Sequence, residues 1–284
     1  MKNPITELTG PEFLMFYAIV IAVTVAFCWW RRQRSDSTAS LPLPSLPERV
    51  DPYEIAYMRG GENELARVAT IRLTEMGYLF VAEKHIVAQA NRPPVKNLSA
   101  LERCVFEWFK PGRKVEEVFA GGELTQSLKS HALPYEEKLH AELLLAPDDV
   151  KAQGRITAFI AAAIVAVIGG SRLYVGLMRN RPVGFLIMMG IGGLIAAIHF
   201  SMPKRLSSRG GAYIKALQDK WQWLKSPQPK DEGSLVLAAS LFGVAVLAGT
   251  PYSDLADAFK KSAATGSGGC GGGCGGCGGC GGCG

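Results

Sequence analysis

Apolar residues along this chain fall into three long unpunctuated runs and several short periodic ones. Phe13 to Trp30 is eighteen residues without a charge, enough for a helix to cross a bilayer. Ile156 to about Gly170, continuing toward Leu177, is a second run, and Val183 to Phe200 is a third. The first reads as a retained anchor and not a signal peptide, because Arg31, Arg32 and Arg34 follow it and no small-residue cleavage site precedes them. Arg172 falls near the end of the second run, where its long side chain can reach the headgroups. Ala158, Ala162, Ala166 and Gly170 recur four apart, and Gly184, Gly192 and Ala196 make a comparable stripe. Small residues at that spacing predict a closely packed helix pair.

Between the first two runs the period changes. Asp51-Pro52 predicts a helix start, with Asp as N-cap and Pro at the first helical position. Tyr53, Ile55, Ala56 and Met58 supply its apolar side, and Gly60-Gly61 ends it. A second helix is expected over Glu64 to Met76, with Gly77 as its terminator. Tyr78 to Ala82 and His85 to Ala90 read as short strands joined near Glu83-Lys84. Helix, turn, helix and hairpin in that order resemble a small winged-helix unit. Ser99-x-x-Glu102 has capping-box spacing before a helix to Phe109. Lys114 to Phe119 is a short amphipathic piece, and helices are expected over Glu123 to Ala132 and Pro134 to Leu145.

After the third run, Ser207 to Leu224 reads as a basic amphipathic helix. Ile214, Leu217, Trp221 and Leu224 form its apolar side, which suits either a membrane interface or packing on the soluble region. Leu235 to Thr250, sixteen uncharged residues, is short for a span and is expected to be a buried or interfacial helix. Its placement decides on which side of a membrane the C-terminus lies.

Charge sharpens this outline. Residues 48–150 hold thirteen basic and seventeen acidic side chains, a balance of −4, whereas residues 151–284 hold fourteen and five, a balance of +9. The basic surplus borders the apolar runs, where it meets anionic headgroups. An acidic soluble region disfavours nucleic acid as a partner. With the N-terminus outside, the inner flanks carry Arg31, Arg32, Arg34, Lys151, Arg155, Lys204, Arg205 and Arg209. The outer flanks then carry only Lys2, Arg172, Arg179 and Arg181. The positive-inside rule therefore places residues 31–155 in the cytoplasm, with the C-terminus expected there too.

Candidate chemistry concentrates at the C-terminus. The last fifteen residues are five cysteines (Cys270, Cys274, Cys277, Cys280 and Cys283) and ten glycines. CxxC spacing suits zinc or another soft metal. A polyglycine setting supplies no fold to hold a defined site, so disulfide formation, modification or a solvated tail are equally open. Cys28 and Cys104 read as small apolar fillers. His85, His131, His140 and His199 form no ligand pair, and Glu116-Glu117 and Glu136-Glu137 read as solvated faces. No P-loop, nucleophile elbow or dinucleotide fingerprint is present.

The string Asp51-Pro52-Tyr53-Glu54-Ile55-Ala56-Tyr57-Met58-Arg59-Gly60-Gly61, with Arg209-Gly210-Gly211, Leu241-Phe242-Gly243 and the Cys/Gly tail, resembles an uncharacterised bacterial multi-pass membrane protein family. The resemblance covers most of residues 50–260 and implies an architecture without an assigned activity. The expected fold is mainly α: an N-terminal transmembrane anchor (1–32), a proline-rich linker (33–47) and a cytoplasmic helical domain with a winged-helix-like hairpin (48–150). A transmembrane hairpin (151–203), amphipathic and apolar helices packing at the membrane or on the domain (204–262) and a disordered tail (263–284) complete it. The function expected is a non-enzymatic interaction or scaffold role at the plasma membrane. Its partners are the lipid bilayer, another protein, and a second copy of the chain. A membrane-tethered regulator using the winged-helix-like unit, and metal or thiol handling by the tail, are the alternatives.

Overall fold

The computed structural model describes residues 10–34, 36–82, 85–118, 122–178, 184–202, 204–225 and 233–265. It is mainly helical. In chain order its elements are α1 (Gly10–Arg34), α2 (Pro52–Gly60), α3 (Glu62–Glu75), β1 (Leu79–Ala82), β2 (His85–Ala88), α4 (Ala100–Phe109), β3 (Arg113–Lys114), α5 (Glu123–Ala141), α6 (Asp148–Met178), α7 (Gly184–Ser201), α8 (Ser208–Lys220), α9 (Ser234–Phe242) and α10 (Ser253–Thr265). Two compact units divide the chain: Met1–Ser40 with Ala146–Lys204, and Leu41–Leu145 with Arg205–Gly284.

The first unit is a bundle of α1, α6 and α7. All three are long and apolar enough to cross a membrane, over Glu12–Arg34, Asp148–Val175 and Gly184–Ser201. Only 17% of the most apolar window of each is buried inside the protein, so most of that surface faces outward, where lipid stabilises it and water does not. Phe13, Tyr17, Val165 and Leu186 are buried together at one end of the bundle, and Cys28, Ala161 and Ala197 at the other. The Tyr17 hydroxyl donates to the Val165 carbonyl at 3.0 Å, which satisfies the one polar atom of that buried ring. Arg172 lies over the Phe13 ring, 5.0 Å from its centroid, at the end of its span.

The packing seam differs from the expected stripe. A side chain at Gly169 would overlap the Tyr17 phenol, and one at Gly193 would meet Ile21 at 2.7 Å, whereas Gly170, Gly184 and Gly192 have nothing within 4 Å. Helix geometry explains the shift. Residues four apart advance about 400° around a 3.6-residue helix, so such a row turns about 40° per step. The row starting at buried Ala158 therefore rotates out of the contact by Ala166 and Gly170, both exposed. The contact instead steps by three from Ala158 to Ala161 and by four to Val165 and Gly169, so that its mean spacing stays near the helical repeat.

In the second unit the expected caps are present. Asp51 accepts from the Tyr53 backbone N–H at 2.9 Å and Pro52 opens α2. The Ser99–Glu102 capping box is complete, with Glu102 N–H donating to Ser99 Oγ at 3.2 Å and Ser99 N–H to Glu102 Oε2 at 2.9 Å. Gly77, at φ 75°, closes α3 while the Tyr78 N–H donates to the Leu73 carbonyl at 2.8 Å. β1 and β2 pair antiparallel with Leu79 opposite Ala88, and β3 adds to β2 through Ile86 and Arg113. One element departs from expectation: α5 runs unbroken through Pro134. Leu124, Leu128 and Ala132 before the proline and Leu139 after it are all buried, and that packing outweighs the roughly 3 kcal/mol a mid-helix proline costs.

The core of this unit joins distant parts of the sequence. Ile55 and Met58 of α2, Leu65, Ile71 and Leu73 of α3, and Phe106 and Phe109 of α4 share one cluster with Leu217, Leu235, Val236, Leu241, Leu255 and Phe259. Thus α8, α9 and α10 belong to the core of this second unit. The stretch 235–250 holds no helix long enough to cross a membrane: α9 has nine residues, about 14 Å of helix, and Gly243 at φ 89° turns the chain after it. The α6–α7 hairpin is consequently an insertion, and the chain on its two sides is tied together within this unit. Leu145 bridges Leu206, Ser207 N–H donates to the Leu144 carbonyl at 3.1 Å, and Ser207 Oγ donates to the Leu143 carbonyl at 2.7 Å.

Candidate functional site

The proline-rich stretch shapes a concavity of the second unit. Proline carries no N–H, but its carbonyl accepts freely. Arg209 Nε at the start of α8 donates to the Pro42 carbonyl at 2.9 Å, and Lys220 Nζ at its end donates to the Pro47 carbonyl at 3.0 Å. Arg209 also donates to the Glu142 carbonyl at 2.8 Å, fixing the C-terminal end of α5 against the same strap. So the basic side of α8 holds a polypeptide, and its apolar side, Tyr213, Ile214 and Leu217, is buried in the core. Between strap and helices lies an open cleft of about 260 Å³. Pro44 and Pro47 form one wall, Ile55, Met58, Leu139 and Leu217 the floor, and Arg49, Asp51, Glu54, Lys138, Glu142 and Tyr213 the polar fringe. Lys138 Nζ donates to Glu54 Oε2 at 2.7 Å across it.

Two polar networks join α2 and α3 to neighbouring elements. Glu102, nearly buried, accepts from the Tyr53 hydroxyl at 2.7 Å and from Arg72 Nε at 2.8 Å while it caps α4. Glu64 pairs with both Arg59 and Arg67, and Arg59 also donates to the Ala239 and Ser240 carbonyls at the end of α9. Helix ends leave such carbonyls without intrahelical partners. Arg205 stacks over the Tyr57 ring, 4.6 Å from its centroid. Glu64–Arg67 is a local pair three positions apart on α3, whereas the contacts of Arg59 with α9, of Tyr53 and Arg72 with Glu102, and of Arg205 with Tyr57 join elements that meet only in the tertiary fold.

The displaced ionisations share one direction. Burial, and then the hydrogen bond to Glu102, pushes the Tyr53 phenol far up; burial first takes Tyr57 and Tyr135 up to about 12. Burial alone raises the Cys104 thiol. The hydrogen bond to Glu54 raises Lys138. Burial opposes ionisation of Glu102, but the Tyr53 and Ser99 hydrogen bonds and the Arg72 charge together hold its carboxyl below the usual range. Each of these groups is driven deeper into the charge state it already has at neutral pH.

Cys270, Cys274, Cys277, Cys280 and Cys283 lie outside the described residues. Among the described residues no group of three metal-ligating side chains comes together. Cys28 is buried in the bundle and Cys104 is half-buried on α4. His140 comes within 3.9 Å of Glu136, and His199 packs edge-on to Phe200. Within the helix–turn–helix–hairpin segment, α3 packs against α2, α4, α5 and α9 and has no exposed residue. A helix so enclosed presents no face to a nucleic-acid groove. In comparisons with known proteins, no family model, no curated protein and no solved structure matches this chain.

Proposed function

We propose that this chain is a non-enzymatic integral membrane protein, whose three spans display a helical unit and a thiol-bearing tail to a protein partner on one side of the plasma membrane. The observation that carries the reading is the merging of α8, α9 and α10 into the core of residues 41–145. In this reading α1, α6 and α7 are the spans, and the tail follows α10 on the side of the second unit. The excess of lysine and arginine beside α1, α6 and α7 supports a cytoplasmic side for both. This architecture fits the multi-pass family that the Asp51–Gly61 string resembles.

The strap-walled cleft is the partner surface in this reading. Its apolar floor and fixed Glu54–Lys138 pair suit a peptide segment bearing an apolar residue beside a charged or polar one. The tail supplies thiols near the bound partner. Zinc or another soft metal on its cysteines is a second role for the same side of the protein. The winged-helix alternative is weakened by the enclosure of α3. Photocrosslinking in cells from position 45, beside the cleft, tests the proposal. A discrete protein adduct that is lost in the Glu54→Ala/Lys138→Ala variant supports it. Absence of any adduct, with purified protein turning over a substrate, would contradict it.

A further inference from the structure

The proline-rich strap carries an outward edge. Pro42, Pro44 and Pro47 each fix their own φ at about −65° and hold Leu41, Leu43 and Leu46 before them in extended backbone. Within residues 41–47 only Ser45 escapes both constraints, and among the described residues no backbone–backbone hydrogen bond involves this stretch. A chain so constrained adopts the polyproline II helix, which needs no internal hydrogen bonds and repeats every three residues. Exposure follows that repeat. Pro44 and Pro47 are half-buried at the cleft, whereas Leu43 and Leu46, also three apart, are 47% and 37% exposed. The bonds from Arg209 to the Pro42 carbonyl and from Lys220 to the Pro47 carbonyl pin the strap at both ends, so its shape is set before a partner arrives. Beyond a bend at Glu48, Arg49 is exposed, and among the described residues no ion pair or hydrogen bond engages its side chain.

We propose that the segment Leu43-Pro44-Ser45-Leu46-Pro47-Glu48-Arg49 is a docking ligand for a second protein, whose groove is lined by aromatic side chains and rimmed by acidic ones. Two Leu-Pro ridges one residue apart match the spaces between aromatic rings, the way polyproline II segments are recognised. The unengaged Arg49 guanidinium supplies the charge complement for an acidic rim and fixes the direction in which the strap lies in the groove. Leu43 and Leu46 do not line the cleft, so this role does not rest on what the cleft binds.

Titration of the full chain in lipid nanodiscs with a purified SH3 domain, which carries a groove of that chemistry, tests the assignment. The expected result is saturable binding that Leu43→Ala/Leu46→Ala weakens by about tenfold. Arg49→Glu is expected to weaken it by a factor that shrinks with added salt. Leu41→Ala, an equal truncation off that edge, is expected to leave the affinity within about twofold. No saturable binding, equal loss in Leu41→Ala and Leu43→Ala/Leu46→Ala, or a loss that tracks a lowered melting temperature would overturn the proposal. So would seating of the edge in the bilayer. That is read as quenching by spin-labelled lipid of a fluorophore on Leu46→Cys, in a chain with the five tail cysteines as serine.

Discussion

Arg59 donates to the Ser240 carbonyl at 2.9 Å, joining the first helix of the second unit to a residue 181 positions later. The same guanidinium donates to Ala239 and pairs with Glu64, which is itself buried beside Arg67. One side chain thus ties the end of α9 to α2 and α3, beside the buried Leu235, Val236 and Leu241 of the same core.

Replacing that side chain is expected to be costly. Arg59→Ala removes both bonds to α9 and leaves Glu64 with one partner in place of two. The expected loss is about 2 kcal/mol, lower than for a wholly buried pair because Arg59 retains some solvent contact. Urea unfolding of the full chain in detergent, followed by tryptophan fluorescence, gives the value. A change within about 0.5 kcal/mol, typical of surface positions, would count against the role assigned here.

Acid sensitivity follows from Glu102. Its carboxyl is held below the usual range when folded, so the folded state binds a proton less readily than the unfolded chain. Its contribution is complete above the unfolded value of about 4.3 and disappears as pH falls through the lower folded value. Glu102→Gln keeps a capping-box side chain but loses the charge facing Arg72. The variant is expected to melt lower than wild type at pH 7 and to lose less further stability between pH 5 and 3. Parallel melting curves across that window would exclude the assignment.

Two adjacent glycines on α8 separate packing from propensity. A Cβ at Gly210 would run into the Leu144 carbonyl, which is backbone and cannot swing away, whereas Gly211 faces open space. Gly210→Ala is expected to destabilise the unit by roughly 2 kcal/mol, and Gly211→Ala to stabilise it by up to about 1 kcal/mol through helix propensity. Chemical denaturation of both variants checks the contrast in sign.

The bundle offers a similar contrast. Gly169→Val meets the Tyr17 ring and Gly193→Val meets Ile21, while Gly170→Val and Gly192→Val project into space free of protein. The first pair is expected to weaken the association of α1 with α6 and α7, and the second to leave it intact. Disulfide trapping between cysteines placed on α1 and α6, at equal expression, reads this out. Equal trapping in all four variants would refute the seam.

These contrasts show what the amino-acid pattern revealed. Caps are local, so Asp51, Ser99 with Glu102, and Gly77 marked helix ends correctly from residues a few positions apart. Hydropathy over eighteen residues marked the three apolar helices. The seam was misjudged because a four-residue row drifts around a helix, and only the partner residues Tyr17 and Ile21 single out Gly169 and Gly193. Helix α10 gave a faint signal: Leu255, Ala256 and Phe259 are its buried apolar contacts, flanked by Asp254 and Asp257. The strap, the cleft and the Glu102 and Glu64 networks were illegible for a further reason. Arg209 and Pro42 are 167 positions apart and Tyr53 and Glu102 are 49 apart, so each pair meets only in the tertiary fold.

The central claim, that the chain crosses the membrane three times and that its tail continues from the soluble unit, is tested most directly by cysteine accessibility. A membrane-impermeant maleimide is applied to intact and to lysed cells. One sample carries the native tail cysteines; the other carries the five tail cysteines as serine together with Ser130→Cys on the exposed side of α5. The two sites are predicted to behave alike, both protected in intact cells and both labelled after lysis. Labelling of one with protection of the other in intact cells would place a further span between them and contradict the account.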